Sequence, residues 1–301
     1  MGRHDVWVIG HVTRDRILLA TGLTPGAAEE RAGGPATYFA LAFARLGGDV
    51  GVLTRLAAQD QDELLAPHRS EGLEIVCAPS AETTEFENRY GADDPDRCVQ
   101  SVRAVATAFE REDLGSITAR ILHLGPLTHD DMSCEFLSAA AERGRVSLDA
   151  QGLVRRIVDG RVELCDWPEK RAGLAHVGVL KANEFEARVM TSESDPFRAA
   201  RVLASWGPDE VLVTCARRGS VVFCEGRANH VAAFSTPTPT RTPVDPTGCG
   251  DTYMAAYLCE RLSGRDARES ARFASAAAAL KLRAAGPLRG TRKSVEKLLQ
   301  E

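Results

Sequence analysis

The sequence of 301 residues lacks the features that mark several large classes of protein. No apolar run approaches the ~20 residues that a membrane-spanning helix needs. The net charge is −5, which argues against a nucleic-acid-binding protein, because such proteins normally present a basic surface. The first residues contain no apolar signal-peptide region. These absences favour a globular, cytoplasmic protein that binds neither membranes nor nucleic acids.

Paired cysteines and the common dinucleotide and nucleotide motifs are missing as well. The eight cysteines are scattered without a CxxC pair, which indicates reduced thiols rather than a disulfide framework or a zinc site. The first strand is not followed by G-x-G-x-x-G, and G-x-x-x-x-G-K-[ST] is absent. The sequence therefore favours neither a dinucleotide-dependent dehydrogenase nor a Walker-type NTPase.

What is present is an alternation of short apolar strands and helical stretches. Strand-like runs occur at residues 5–10, 50–53, 121–125, 145–149, 178–181 and 210–215. With helical patterns between them, they predict an α/β fold, a doubly wound and mainly parallel sheet flanked by helices. The extended segments from residue 73 to residue 109 predict a small antiparallel β lid. Because no repeat or low-complexity linker divides the chain, we predict a single domain, residues 1–301, with a lid formed by about 12–32 and 73–107 inserted in it.

The most informative stretch is the glycine-rich segment at residues 245–251 (DPTGCGD). A Thr/Pro-rich run at residues 235–243 precedes it and cannot be helical, whereas the pattern after Gly250 is helical. Such loops aim several backbone N–H groups at one point at the positive end of a helix dipole, which makes an anion site suited to phosphate. Asp251 would repel a phosphate, so a proton-accepting role and a simple helix cap carry equal weight.

Two weaker signals lie near the N-terminus. Asp15 follows the first strand, at the end where open α/β sheets bind ligands, although a solvated turn residue would look the same. Gly33 and Gly34 precede an apolar helix, and Pro35 suits its first turn. Two glycines allow a ligand to approach the backbone closely, and a tight turn explains them as well.

Four motifs together resemble those of the ribokinase/PfkB family of small-molecule kinases. In family order they are Gly33-Gly34 with its helix, Asn183-Glu184-Phe185-Glu186 for N-x-x-E, residues 213–219 (VTCARRG) for T-L-G-x-x-G, and residues 245–252 (DPTGCGDT) for D-T-x-G-A-G-D. Because these motifs span nearly the whole chain, the match is specific. The resemblance implies a ribokinase-like fold with a β-sheet lid over the substrate.

The resemblance also implies a reaction, the transfer of the γ-phosphoryl group of ATP to a hydroxyl of a small polyhydroxylated substrate. Asp251 would be the general base, and the backbone N–H groups of Gly248, Cys249 and Gly250 would form the anion hole. The substrate-binding residues would be Asp15, Gly33, Gly34, Tyr38, Asp149, Gln151 and Asp251. The nucleotide-binding residues would be Asn183, Thr214, Arg217, Gly219, Gly248, Gly250 and Ser275.

Cations and partners follow from the same resemblance. Glu186, with Asn183 nearby, would position Mg²⁺ through waters, since Mg²⁺ gives up its waters reluctantly. Asp245 and Thr247 match positions that hold a monovalent cation, typically K⁺, in many members. The outer face of the lid makes a homodimer in many members, and the resemblance allows the same here.

The substrate remains open at this stage. Tyr38 replaces the usual Asn of the family and, with residues 83–86 (TTEF) and 149–152 (DAQG), is similar to an inositol-kinase-like branch, which makes myo-inositol a candidate substrate. One alternative is a nucleoside kinase, with Tyr38 and Phe39 against the base. Another is a non-catalytic ligand-binding protein on a kinase scaffold, although a pure binder needs neither Asp251 nor Glu186.

Overall fold

The computed structural model describes residues 4–19, 28–90, 98–234 and 245–300. The strands are β1 (Val6–Gly10), β2 (Thr13–Leu19), β3 (Ala28–Gly33), β4 (Val50–Ala57), β5 (Glu74–Ser80), β6 (Glu85–Tyr90), β7 (Cys98–Ala104), β8 (Ile121–Gly125), β9 (Arg145–Asp149), β10 (Arg155–Val158), β11 (Arg161–Leu164), β12 (Val179–Asn183), β13 (Glu210–Thr214), β14 (Ser220–Cys224) and β15 (Arg227–Val231). The helices are α1 (Pro35–Arg45), α2 (Gln61–Leu64), α3 (Ala66–Ser70), α4 (Cys134–Ala141), α5 (Lys170–Leu174), α6 (Glu184–Thr191), α7 (Pro196–Ala204), α8 (Cys249–Leu262), α9 (Ala267–Lys281) and α10 (Arg292–Gln300).

A nine-stranded sheet, in the order β15-β14-β13-β12-β9-β8-β1-β4-β5, forms the centre of the fold. Neighbours from β5 across to β13 pair in parallel, and β14 and β15 add an antiparallel hairpin at one edge. Every residue of β1, VWVIG, is buried, as expected for a strand that is covered on both faces. The predicted α/β fold with a doubly wound, mainly parallel sheet is confirmed.

Helices cover both faces of this sheet, and the alternation of side chains along β1 shows how. Val6 and Val8 belong to one hydrophobic core, which also contains the buried faces of α1, α8 and α9. Trp7 and Ile9 point the other way, into a second core with side chains from α4, α6 and α7. Since successive side chains of a strand alternate between faces, α1 and α8 lie on the same face of the sheet. Their N-termini can therefore meet at one site.

The second, smaller sheet has six strands in the order β10-β11-β7-β6-β2-β3. All its neighbouring pairs are antiparallel except β2 with β6. The predicted lid segment at 73–107 is wrong in one part, because β5 pairs in parallel with β4 and forms the edge of the large sheet. The local sequence of β5 carries no information about which distant strand it pairs with.

The hairpin of β10 and β11 joins this second sheet and was absent from the sequence-based prediction. Its turn is Asp159-Gly160, with φ values of 49° and 72°. Two residues with positive φ, most often Asn-Gly or Asp-Gly, are the strongest short-range hairpin signal. The dipeptide was therefore a readable signal, with Arg155–Val158 and Arg161–Leu164 on either side of it.

Some predictions concern residues that lie outside the described ranges. These are the Thr/Pro-rich run at residues 235–243 and, in the predicted lid segments, residues 20–27 and 91–97. Within the described ranges, no helix combines the length and the apolar character that crossing a membrane requires.

Candidate active site

The carboxyl ends of the parallel strands bring several predicted site residues to one edge of the large sheet. β9 ends at Asp149, β12 at Asn183 and β13 at Thr214. In register, Asp149 lies opposite Lys181, and Asn183 lies opposite Thr214. The chain runs from β1 to β4 on one side and returns to β8 on the other. Ligands of open α/β sheets bind outside the carboxyl ends at such a reversal of strand order.

Two helix N-termini point to this edge, and glycines allow them to approach their neighbours. Gly34 precedes α1 with φ 81°, and Gly248 precedes α8 with φ 78°. A Cβ atom on Gly34 would lie 2.2 Å from the carbonyl oxygen of His11, and one on Gly248 would lie 2.2 Å from Cδ1 of Tyr38. Glycine is needed at both positions for its conformation and for the missing side chain. The ring of Tyr38, on α1, thus lies directly against the start of α8.

Asp251 lies in the first turn of α8. Burial raises the pKa of its carboxyl to about 6, and the negative charge of Asp149 adds to the rise, while Lys181 opposes it. The side chain is only half-buried, so it can still reach a ligand. A carboxylate with a pKa near the working pH is suited to accept a proton.

Lys181, on β12, is a site residue that the sequence analysis missed. Its Nζ donates a hydrogen bond to Oδ2 of Asp149 at 2.6 Å. A Cβ atom on Gly250 would lie only 2.7 Å from the same Nζ, so the ammonium lies beside the glycine loop. Burial lowers the pKa of Lys181, but Asp149, Glu186 and Asp251 outweigh burial, and the net pKa is raised. A lysine at the carboxyl end of a buried strand, two residues before Asn183, was the available signal.

Asp15 lies against the backbone just before α1. A Cβ atom on Gly33 would lie 2.0 Å from its Oδ2, and Thr13 Oγ1 donates to its Oδ1 at 2.6 Å. Burial raises the pKa of Asp15 to about 6, and the charge of Asp245 adds to the rise. Asp15 is thus a buried carboxylate at the ligand edge rather than a solvated turn residue.

Asp245 begins the glycine-rich loop and contacts two cationic side chains. Arg31, on β3, donates a hydrogen bond to Oδ2. Lys281, the last residue of α9, donates to the main-chain oxygen of Asp245 at 2.7 Å and lies 3.9 Å from Oδ2. The N–H of Thr247 donates to Oδ1 at 3.0 Å. Burial raises the pKa of Asp245, but Lys281 and Arg31 outweigh burial and lower it overall.

The N–H of Cys249 is partly committed within the loop. It donates to the carbonyl oxygen of Pro246 at 3.1 Å. This hydrogen bond competes with any anion for that N–H group. Cys249 is therefore a weaker member of the predicted anion hole than the sequence implies.

Asn183 and Glu186 form a reciprocal cap at the start of α6. The N–H of Glu186 donates to Oδ1 of Asn183 at 2.9 Å, and the N–H of Asn183 donates to Oε2 of Glu186 at 2.7 Å. Glu186 is 1% exposed, and burial raises the pKa of its carboxyl while Lys181 opposes the rise. Among the described residues, no group of three or more His, Cys, Asp or Glu could hold a metal ion. Mg²⁺ keeps several waters and needs only one or two carboxylates together with substrate phosphates, so the Mg²⁺ site at Glu186 and Asn183 stays a prediction.

The remaining predicted nucleotide residues lie around β13, β14 and α9. Thr214 ends β13, and Gly219, with φ 92°, packs against the carbonyl oxygen of Val231. Arg217 is exposed in the turn between these strands. Ser275 Oγ accepts from the N–H of Phe234 at 2.9 Å and donates to the carbonyl oxygen of Ala232 at 3.2 Å. Ser275 thus fastens the chain after β15 to α9.

Gln151 and Phe39 have different relations to the site. Gln151 is half-buried, and its N–H donates to Oδ1 of Asp149 at 3.1 Å. Phe39 is fully buried, and its ring stacks on His123 with 4.1 Å between centroids. Phe39 is thus a core residue, and the idea that it lines a slot for a nucleoside base is not supported.

These features define a class of enzyme: a small-molecule kinase of ribokinase-like fold, with the ligand edge of a parallel sheet facing a glycine loop and a carboxylate. The chain belongs to the pfkB family of carbohydrate kinases, whose model matches residues 3–293. The family match indicates an ATP-dependent kinase whose acceptor is an alcohol group.

Three proteins similar to this chain are kinases of small molecules. A solved structure, described as a pyrophosphate-dependent kinase in the ribokinase family complexed with a pyrophosphate analog and myo-inositol, has a TM-score of 0.84 and 28% identity, covering 97% of this chain and 99% of that one. The cytidine kinase of Thermococcus kodakarensis is 27% identical, covering 89% of this chain and 92% of its own. The inositol 3-kinase of Zea mays is 28% identical, covering 68% of this chain and 52% of its own.

Proposed function

We propose that this kinase transfers a phosphoryl group from ATP to a hydroxyl of a polyhydroxylated ring, with myo-inositol as the first candidate. The observation that carries the proposal is Asp251, a carboxylate with a pKa of about 6 in the first turn of α8. The balance of the step is simple: Asp251 takes the proton of the attacking hydroxyl, the hydroxyl oxygen bonds to the terminal phosphorus, and the bond to the leaving phosphate oxygen breaks.

The donor side of the proposal consists of the glycine loop and its neighbours. The N–H groups of Gly248 and Gly250 would stabilise the charge that develops on the transferred phosphoryl group. Lys181 would add a positive charge beside them, since its Nζ already lies next to Gly250. Thr214, Gly219, Arg217 and Ser275 would contact the nucleotide.

Glu186 and Asn183 would hold Mg²⁺ through waters. Both oxygens of Glu186 accept hydrogen bonds from Asn183, which fixes the carboxylate while each oxygen keeps a second lone pair for a water. When bound, Mg²⁺ would neutralise charge on the donor phosphates and orient them.

The acceptor side favours a ligand with several hydroxyls. Asp15 and Asp149 are buried carboxylates at the ligand edge, and carboxylates accept hydrogen bonds from hydroxyl groups. Gln151 is positioned beside Asp149, and the backbone of Gly33 and Gly34 lies next to Asp15. Likeness to the structure with myo-inositol and to the inositol 3-kinase supports a cyclitol.

The main alternative substrate is a nucleoside, because the cytidine kinase matches over most of both chains. A nucleoside site needs an apolar slot for the base. Of the two aromatic residues considered for that slot, Phe39 is committed to the core and Tyr38 is 1% exposed. This burial favours the cyclitol.

The test is a matrix of acceptors and donors with the purified protein and Mg²⁺. The acceptors are myo-inositol, ribose, fructose, a hexose phosphate, adenosine and cytidine, and the donors are ATP and pyrophosphate. Release of ADP with myo-inositol alone is the expected result. Turnover on cytidine alone would overturn the assignment of a cyclitol as the acceptor. Turnover with pyrophosphate but not with ATP would overturn the assignment of ATP as the donor. Binding of the acceptors without turnover on any of them would favour the ligand-binding protein.

A homodimer through the lid and a cytoplasmic location remain predictions. Val158 and Leu164, on the lid strands β10 and β11, are 38% and 51% exposed, and exposed apolar side chains are common where subunits meet. Light scattering on the purified protein, with Leu164→Glu as the comparison, tests the dimer. A wild-type protein of monomer mass would overturn it.

A further inference from the structure

The feature that leads beyond the proposed function is Lys281, a lysine whose side chain is completely buried. It ends α9, on the core face shared with α1 and α8. Lysine is almost never fully buried unless it is paired. Its Nζ donates to the main-chain oxygen of Asp245 at 2.7 Å and lies 5.9 Å from the ring centroid of Tyr38. The buried ammonium group thus binds the first residue of the glycine loop.

The environment of Asp245 does not fit the K⁺ site that the sequence predicted at Asp245 and Thr247. The main-chain oxygen of Asp245 already accepts a hydrogen bond from Lys281. Its carboxylate contacts Arg31 and Lys281 together and also accepts from the N–H of Thr247. A third cation at this carboxylate would be repelled by two fixed positive charges. The repulsion by Arg31 and Lys281, rather than a lack of lone pairs on the oxygens, therefore disfavours K⁺ at Asp245.

We propose that the Lys281 ammonium takes the place of a monovalent metal cation, so that this kinase holds its glycine loop in position without K⁺. An ammonium group is a compact monovalent charge with three hydrogen-bond donors. Lys281 lies on α9, the helix that also contains Ser275. Lys281 acts as a positioning residue: it holds Asp245 and so the loop that leads to Gly248 and Asp251. The proposal rests on the proposed role of that loop as the anion hole.

The test compares salts for the wild type and two substitutions at position 281. KCl, NaCl and tetramethylammonium chloride are compared at about 0.1 M each, so that screening is equal. We expect the wild-type kcat/KM and Tm to change little among the three salts. Lys281→Ala opens a space for a hydrated cation, so K⁺ should restore its kcat/KM by about tenfold relative to tetramethylammonium, within the usual range of coupling between two bound ligands. Lys281→Met fills the space without charge and should be impaired equally in all salts.

A matched control and a readout without turnover make the result decisive. Lys293→Ala removes an exposed lysine of α10 and should behave as the wild type in every salt. Binding of Tl⁺, a K⁺ analogue, is followed by thallium NMR and should be absent from the wild type. A wild type that needs K⁺ for turnover, gains Tm selectively in KCl, or binds Tl⁺ at the loop would overturn the proposal. Because Tm and Tl⁺ binding do not depend on the substrate, a wrong acceptor or donor leaves this test intact.

Discussion

The two ends of the glycine-rich loop carry carboxylates with opposite properties. Asp245 is paired with Arg31 and Lys281, and its pKa is lowered. Asp251, six residues later, lies in the first turn of α8 near Asp149, and its pKa is raised to about 6. Burial acts on both in the same direction, so the neighbouring charges make the difference. The first carboxylate is suited to hold structure and the second to exchange a proton.

The largest expected effect is the loss of kcat in a variant of Asp251, the carboxylate at the helix end of the loop. Asp251→Asn keeps the volume but removes the proton acceptor, so kcat should fall by at least about 100-fold, the usual scale for loss of a general base. ATP binding should survive, as measured by calorimetry. Asp266→Asn, at the N-cap of α9, is the matched control and should keep full turnover. Near-wild-type turnover in Asp251→Asn would exclude Asp251 as the base.

The pH dependence tests the same carboxylate without any substitution. Because Asp251 must be ionised to accept a proton and its pKa is about 6, kcat/KM should fall as pH drops below about 6, by about tenfold per pH unit. Asp15 has a similar pKa, so Asp15→Asn separates the two by keeping the acidic limb that belongs to Asp251. A profile that stays flat down to pH 5 would contradict the assignment.

Glu186 is a third carboxylate that combines properties of the other two. Its pKa is raised, as for Asp251, but its oxygens are engaged by Asn183. Glu186→Gln should raise the Mg²⁺ concentration for half-maximal activity by about tenfold, the lower end of what loss of a metal-positioning group costs. A Mg²⁺ titration of both proteins checks this. Glu184→Gln, two residues away on the same helix, is the control. An unchanged midpoint in Glu186→Gln would remove Glu186 from the Mg²⁺ site.

The smallest expected effects are on thermal stability. Here Asp245→Asn and Asp251→Asn should shift Tm in opposite directions. The folded-state pKa of Asp245 is lowered, so its stabilisation is present above the unfolded value near 3.8 and is lost as pH falls through the folded value. Asp245→Asn leaves two cations without their partner, which costs about 3 kcal/mol or more, and should lower Tm at pH 7 by about 5–10 °C.

Asp251→Asn should instead raise Tm at pH 7. Its folded-state pKa is raised, so keeping the carboxyl ionised above pH 6 costs stability, and the amide removes that cost. Because the side chain is half-buried, solvent reduces the effect, and we expect about 2 °C. Differential scanning calorimetry measures Tm of Asp245→Asn and Asp251→Asn. Tm shifts of the same sign would contradict the proposed difference between the two carboxylates.

The sequence predicted the large sheet and the glycine loop because both depend on local patterns. Apolar runs such as Val6–Gly10 reveal buried strands, and glycines before Asp251 reveal a helix N-terminus. The pairing of strands that are distant in sequence could not be read. For this reason the prediction placed β5 in the lid, whereas it pairs with β4, and left the β10–β11 hairpin out of the lid, whereas β11 pairs with β7. Lys181 and Lys281 were passed over as site residues for a related reason. Lys181 carried one local signal, its position two residues before Asn183 at the end of a buried strand. The places that the fold gives to the two ammonium groups, beside Gly250 and Asp245, cannot be read from a short sequence window.

The contact between Tyr38 and Gly248 has a consequence for how such an enzyme could be redesigned. The ring of Tyr38 touches Gly248. In the proposed site Tyr38 would belong to the acceptor half of the pocket, and Gly248 would open the helix of the donor half. A smaller residue at position 38 would enlarge the acceptor pocket and at the same time leave a void beside α8. On the proposed function, acceptor preference and transfer rate would therefore be coupled at this position, and a change of substrate made through Tyr38 would require a compensating change near Gly248.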